Sequence, residues 1–215
     1  MTDGPDNLPL EFKLRLNAAK LLVSAARASG DELALANALK ELGNIQRRPP
    51  FMRDAANETY AEAVELYRKL GVPLEEAWVK RHIGINHEYA ERLTEAEKYY
   101  DESLALFREH AGDNTLNYAN TVRYPAVIKN RVGKRDESRA LWEETVRRYE
   151  NIDAPVGVAE GAAWLTIFAI EKRDPALAKE WFAKAEAAAC AANDPDTDRF
   201  VAEVRTRMDI YEHGE

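Results

Sequence analysis

His82 and His87 are the residues with the most obvious capacity for chemistry in this sequence. His87-Glu88-Tyr89-Ala90-Glu91 opens like H-E-x-x-H, which sets two imidazoles around zinc with the glutamate as general base. Glu91 stands where the second histidine is needed, so the pattern predicts no metal site. His82 and His87 are five residues apart and point to different faces of a helix; His87 reads as a core histidine. Cys190 is the single cysteine, which excludes an intrachain disulfide. It reads as a small apolar residue in the alanine-rich end of a helix. No glycine-rich phosphate loop, C-x-x-C or G-x-S-x-G is present. Carboxylates are plentiful, but none are grouped so that helical spacing would give a pair distinct environments. We therefore expect no catalytic residue, metal or cofactor, and a chain that is not an enzyme.

The elements that position these residues are clearest in the stretch from Ala77 to His110. Ala77, Ile83, His87 and Ala90 share one helical face, with Gly84 among them. The helix breaks at Glu91-Arg92-Leu93, and Thr94 with Glu97 has the spacing of a capping box. Ala96, Tyr100, Ser103 and Phe107 then form the apolar stripe of a second helix. The small residues Gly84, Ala96 and Ser103 let the two backbones approach, with Tyr100 filling the space between them.

The same pattern recurs along the chain. Gly43, Gly84, Ala126 and Thr166 follow one another at spacings of 41, 42 and 40 residues. In the following helices Ala56, Ala96, Ser138 and Ala178 recur at 40, 42 and 40. Each is followed four residues later by an aromatic (Tyr60, Tyr100, Trp142, Phe182), and three further by a small side chain (Ala63, Ser103, Thr145, Ala185). This signature, with Leu42-Gly43 and Ile83-Gly84, resembles the tetratricopeptide repeat (TPR) family over roughly residues 31–193. The period near 41 is similar to the long-helix variants such as those of kinesin light chains. The third repeat departs most, with Val122, Thr145 and Pro125 at positions where other residues are usual; Thr166 departs in the fourth.

The resemblance implies an all-α fold, a right-handed α-solenoid of antiparallel helix pairs with about ten helices. Residues 1–7 read as a disordered N-terminus and 8–30 as a lone helix carrying Leu14, Ala18, Leu21, Leu22 and Ala25 as its apolar face. Repeats follow at 31–71, 72–112, 113–152 and 153–193, and a polar capping helix at 194–212. Gly30, Pro49-Pro50, Gly71 and Gly133 read as stops. Asp31, Asp113 or Asn114, Asp136, Asp174 and Asp194 read as N-caps. Leu116, Ala119 and Val122 show helical spacing before Pro125, so we expect a kink there and not a helix that starts late at Tyr124.

Composition bounds the function. A net charge of −8 argues against a general nucleic-acid binder. No apolar run approaches the ~20 residues that span a bilayer, and the N-terminus lacks the regions of a signal peptide. We expect no membrane association and a cytoplasmic chain.

In the TPR family the first helix of each pair lines the concave face. That implies a groove formed by Asn37, Lys40, Asn44 and Arg47; Trp78, Arg81, His82, Ile85 and Tyr89; Asn120, Arg123, Tyr124, Val127 and Arg131; and Glu160, Trp164 and Ile167. A basic, aromatic, amide-bearing groove suits an extended peptide with acidic side chains or a C-terminal carboxylate. Of the family's carboxylate-clamp positions only Lys40 and Asn44 match; His82, Asn120 and Tyr124 depart. Arg47 and Arg131 also lie at helix C-termini, where cations complement the dipole. The expected function is a protein- or peptide-binding module. The alternatives are a self-assembling module, a homodimer through its terminal helices or groove, and a small-ligand sensor around His82, Tyr124 and Trp164.

Overall fold

The computed structural model describes residues 8–112 and 114–213; the N-terminal segment 1–7 and the cap position Asp113 lie outside them. Among the described residues the elements are helical, and the chain is an all-α helical repeat of the solenoid class. It divides into two compact units, Met1–His110 and Ala111–Glu215.

The first unit holds α1 (Leu10–Ser29), α2 (Glu32–Gln46), α3 (Arg53–Leu70), α4 (Pro73–Tyr89) and α5 (Leu93–Ala111). A short 3-10 turn, Pro50–Met52, precedes α3. Loops of a few residues force neighbouring helices to run antiparallel. Gly30 closes α1 in the left-handed region at φ 74°, and Asp31 caps α2 by accepting from the Ala34 amide. The core joins Leu16, Ala19 and Val23 of α1 to Leu39, Tyr60, Tyr67, Val79 and Ile83. The close approach predicted around glycine is present. A Cβ on Gly43 would lie 2.4 Å from the Tyr60 ring, and one on Gly84 would lie 2.6 Å from Tyr100. Ser103 donates to the Ala77 carbonyl at 2.7 Å, stitching α5 to α4.

The second unit holds α6 (Leu116–Arg131), α7 (Arg135–Asn151), α8 (Pro155–Glu171), α9 (Pro175–Ala192) and α10 (Pro195–His213). Its separate core gathers Trp142, Val146 and Tyr149 of α7, Ala159, Ala162 and Phe168 of α8, and Val201 and Val204 of α10. Asp174 caps α9 through the Leu177 amide, and Asp194 accepts from Thr197 at the start of α10.

Several local expectations are corrected. Helix α5 begins at Leu93, so Thr94 lies inside the first turn and is not its cap. Thr115, not Asn114, caps α6, because its hydroxyl reaches the Tyr118 amide. Lys134 occupies the N-cap of α7, which leaves Asp136 in the first turn, where its charge still meets the helix dipole. Helix α6 starts nine residues before Pro125 and continues through it, so the late start is excluded. The largest correction concerns α1. Its seated face is Leu16, Ala19, Val23 and Ala26, and the stripe taken from the sequence, Leu14, Ala18, Leu21, Leu22 and Ala25, is exposed. Both stripes recur at helical spacing, and periodicity alone does not choose between them. Cys190 lies in the alanine-rich end of α9, where the sequence puts it, and is exposed there.

Candidate functional site

Three asparagines on the first helices are held by tyrosines from the second. The Tyr67 hydroxyl donates to Asn37 Oδ1 at 2.7 Å, Tyr60 to Asn44 Oδ1 at 2.7 Å and Tyr149 to Asn120 Oδ1 at 2.7 Å. Burial raises the pKa of Tyr60 and of Tyr67 well above the ordinary tyrosine value, so both hydroxyls remain donors. Each bond fixes which end of the amide is spent, leaving the NH2 end of Asn37 without a partner among the described residues. Asn44 uses its NH2 in a long contact with Glu41, 3.4 Å.

Between these amides the predicted cations separate into different environments. Lys40 pairs with Glu75 at 2.9 Å and lies 5.5 Å from the centre of the Trp78 ring. Arg47, half-buried, has no ion-pair partner among the described residues. Arg81 is buried, 6% exposed, over the Phe107 ring of α5, and so does not present its charge on the open face of α2 and α4. Tyr89 stands at the end of α4 beneath Arg53, 4.1 Å from guanidinium to ring centre. Lys40 and Asn44, the two clamp matches, are thus both engaged within the unit.

His82 is stacked on Trp78 at 3.6 Å between ring centres, and its Nδ1 lies 2.8 Å from the Trp78 carbonyl. A carbonyl only accepts, so Nδ1 carries the proton of the neutral ring. Burial pushes the His82 pKa down to about 3; the bond to Trp78 opposes this, and the charges of Arg81, Arg47 and Lys40 reinforce it. His87 stacks on Tyr99 at 5.4 Å and accepts from Arg92 Nε at 2.9 Å. Burial, then Arg92, lowers its pKa. Among the described residues no group of His, Cys, Asp or Glu could hold a metal ion, and no helix is long and apolar enough to cross a membrane.

In the second unit Arg123 pairs with Glu160 at 2.5 Å and lies 5.0 Å from the Tyr124 ring centre. Burial works against its charge, but Glu160 and the tyrosines Tyr124 and Tyr149 outweigh burial and raise its pKa. Arg131 is exposed at the end of α6. Trp164 stacks on Trp142 at 5.9 Å and meets Phe200 at 6.0 Å. It walls a groove of about 400 Å³ with Val156, Glu160, Asp194, Thr197 and Phe200. This groove is apolar with acidic edges, unlike the basic one expected.

Sequence reasoning missed a buried ion network in the first unit. Lys80, 7% exposed, meets Glu76 at 2.9 Å and Glu102 at 2.9 Å, and Glu76 also meets Arg68 at 3.1 Å. Burial opposes the Lys80 charge, and the two carboxylates more than restore it. A signal for the other ion pairs was present. Arg27–Glu62, Lys40–Glu75, Arg123–Glu160 and Arg135–Glu171 all join residues 35 to 37 apart, just under one repeat.

No family model matches the chain, and no curated protein matches its sequence. Solved structures do match. BtubC (BKLC) from P. vanneervenii, a TPR-like helical-repeat protein, superposes with a TM-score of 0.67 at 16% identity, over 96% of this chain and 94% of that one. A filament, DHF58, aligns over 95% of this chain and 93% of that one at 17% identity, with a TM-score of 0.25. The first likeness establishes the helical-repeat fold.

Proposed function

We propose that this chain is a non-enzymatic interaction module, and that the face shared by α2 and α4 binds an extended segment of a partner protein. The observation that carries this reading is the row Asn37, Lys40, Asn44 and Arg47 beside the Trp78 ring, with two of its amides held from behind by Tyr67 and Tyr60. Held amides cost little ordering on binding and can pair with a peptide main chain. Lys40 is neutralised by Glu75, so preference for an acidic side chain or a terminal carboxylate rests on Arg47. The reading requires no chemistry from His82, stacked on Trp78, or from the exposed Cys190.

Display of acidic and C-terminal peptides on the full chain, followed by titration of the selected peptides, tests this. Binding near the micromolar range, about −8 kcal/mol, is expected. Arg47→Glu and Asn37→Ala should each weaken it about tenfold or more, the loss of a charge-assisted or a neutral hydrogen bond. Unchanged affinity in the double variant, with helicity intact, would remove this face from consideration.

A further inference from the structure

Helix α1 carries two apolar stripes on opposite sides. One is seated on α2. The other comprises Leu10, 72% exposed, Leu14, 59%, and Leu21, 71%, with Ala18 and Ala25 also exposed and Leu22, 63%, at its edge. Three leucines in water on one helix, opposite a face that is already packed, form an interaction surface, not a scatter of single apolar residues.

We propose that this face of α1 pairs with the same face of a second copy of the chain, the two helices running antiparallel. The stripe alternates large and small side chains: Leu14, Ala18, Leu21, Ala25. Their spacing of four, three and four residues is that of a helix–helix seam. An antiparallel pair sets Leu14 of one copy against Ala25 of the other, and Ala18 against Leu21. Each leucine then enters the space left by an alanine, and the same contacts are made twice about a two-fold axis, as an isologous interface requires. The flanks are compatible. Asn17 and Ser24 lie on one side of the stripe, Arg15 and Leu22 on the other, so no like charges face each other across the seam. The charged residues Lys20 and Arg27 lie away from it, and Arg27 is already engaged with Glu62. Helix α10 shows the contrast. Its exposed residues include Asp198, Arg199, Glu203, Arg205 and Arg207, with Val201, Val204 and Met208 turned inward.

Sedimentation velocity on the full chain, from about 1 to about 100 μM, covers the range in which a micromolar dimer dissociates. The expected result is a mass of twice 24.3 kDa at the upper end, falling towards 24.3 kDa on dilution. Leu14→Glu with Leu21→Glu, both at exposed positions, should give the single-chain mass throughout, with unchanged helicity and melting. A single-chain mass for the unaltered protein at every concentration would mean that something other than a second copy covers this face, and would overturn the proposal. So would a two-chain mass that survives the double substitution. Chains carrying Ala18→Cys and Leu21→Cys, each with the exposed Cys190→Ser, should form a disulfide-linked pair on mixing; failure to do so, where Glu65→Cys chains on α3 succeed, overturns the antiparallel register. Neither variant set touches Arg47 or Asn37, so the outcome is independent of peptide binding on α2 and α4.

Discussion

Tyr67 and Asn37 recur one unit later as Tyr149 and Asn120, bonded at the same 2.7 Å. At the equivalent positions of the second repeat stand Phe107 and Trp78, where hydroxyl and acceptor have disappeared together. That paired change is written in the sequence, and it separates amides that are supported from those that are merely exposed. Tyr67→Phe should lower the unfolding free energy by about 1 kcal/mol in denaturant titration, with a weaker hold on the Asn37 amide. His82 gives a pH dependence of definite sign. The unfolded ring takes a proton below 6.5, whereas the folded ring stays neutral until about 3. Its contribution is complete above the unfolded value and is lost as the pH falls, at up to ~1.4 kcal/mol per unit. Chemical denaturation between these two pH values should show that slope, and His82→Gln, which can still donate to the Trp78 carbonyl, should flatten it. Gly84→Ala normally favours a helix interior by about 1 kcal/mol. Here the new methyl would sit 2.6 Å from the fully buried Tyr100, and a net loss of about 1–3 kcal/mol is expected.

At the scale of the element, the helix pairs and most of their ends were legible because each repeat writes the same small–aromatic–small spacing over the same contact. The cations were misjudged for a physical reason: a charge on a helix looks free until the neighbouring repeat supplies its partner, as Glu75 does for Lys40 and Glu160 for Arg123. The face of α1 was misread because both of its stripes are apolar at helical spacing, and only packing against α2 distinguishes them. Helix α6 retains Pro125 within its span, buried and without an amide to donate. An interior proline costs ~3 kcal/mol, and losing part of its buried ring costs about 1. Pro125→Ala should therefore raise stability by about 2 kcal/mol, read as a higher melting temperature.

At the scale of the whole molecule, each unit owns its core: Tyr60, Tyr67 and Val79 belong to one, Trp142, Tyr149 and Phe168 to the other. A segment of this size can bury enough to fold alone. Residues 111–215 expressed by themselves should show a helical circular dichroism spectrum and melt cooperatively; a spectrum without helix would show that this core depends on the rest of the chain. The Tyr–Asn bonds carry a further consequence. Asn37 and Asn120 are 83 residues apart, Tyr67 and Tyr149 are 82 apart, and so are Pro73 and Pro155, which open α4 and α8. Helices α2 and α6 instead start behind side-chain caps, Asp31 and Thr115, 84 residues apart. The chain therefore alternates two kinds of repeat, and the unit that recurs is the pair. A block cut from 31 to 114 therefore carries one full alternation, and it is the length by which the array should be extended if each helix is to meet the kind of neighbour it meets now.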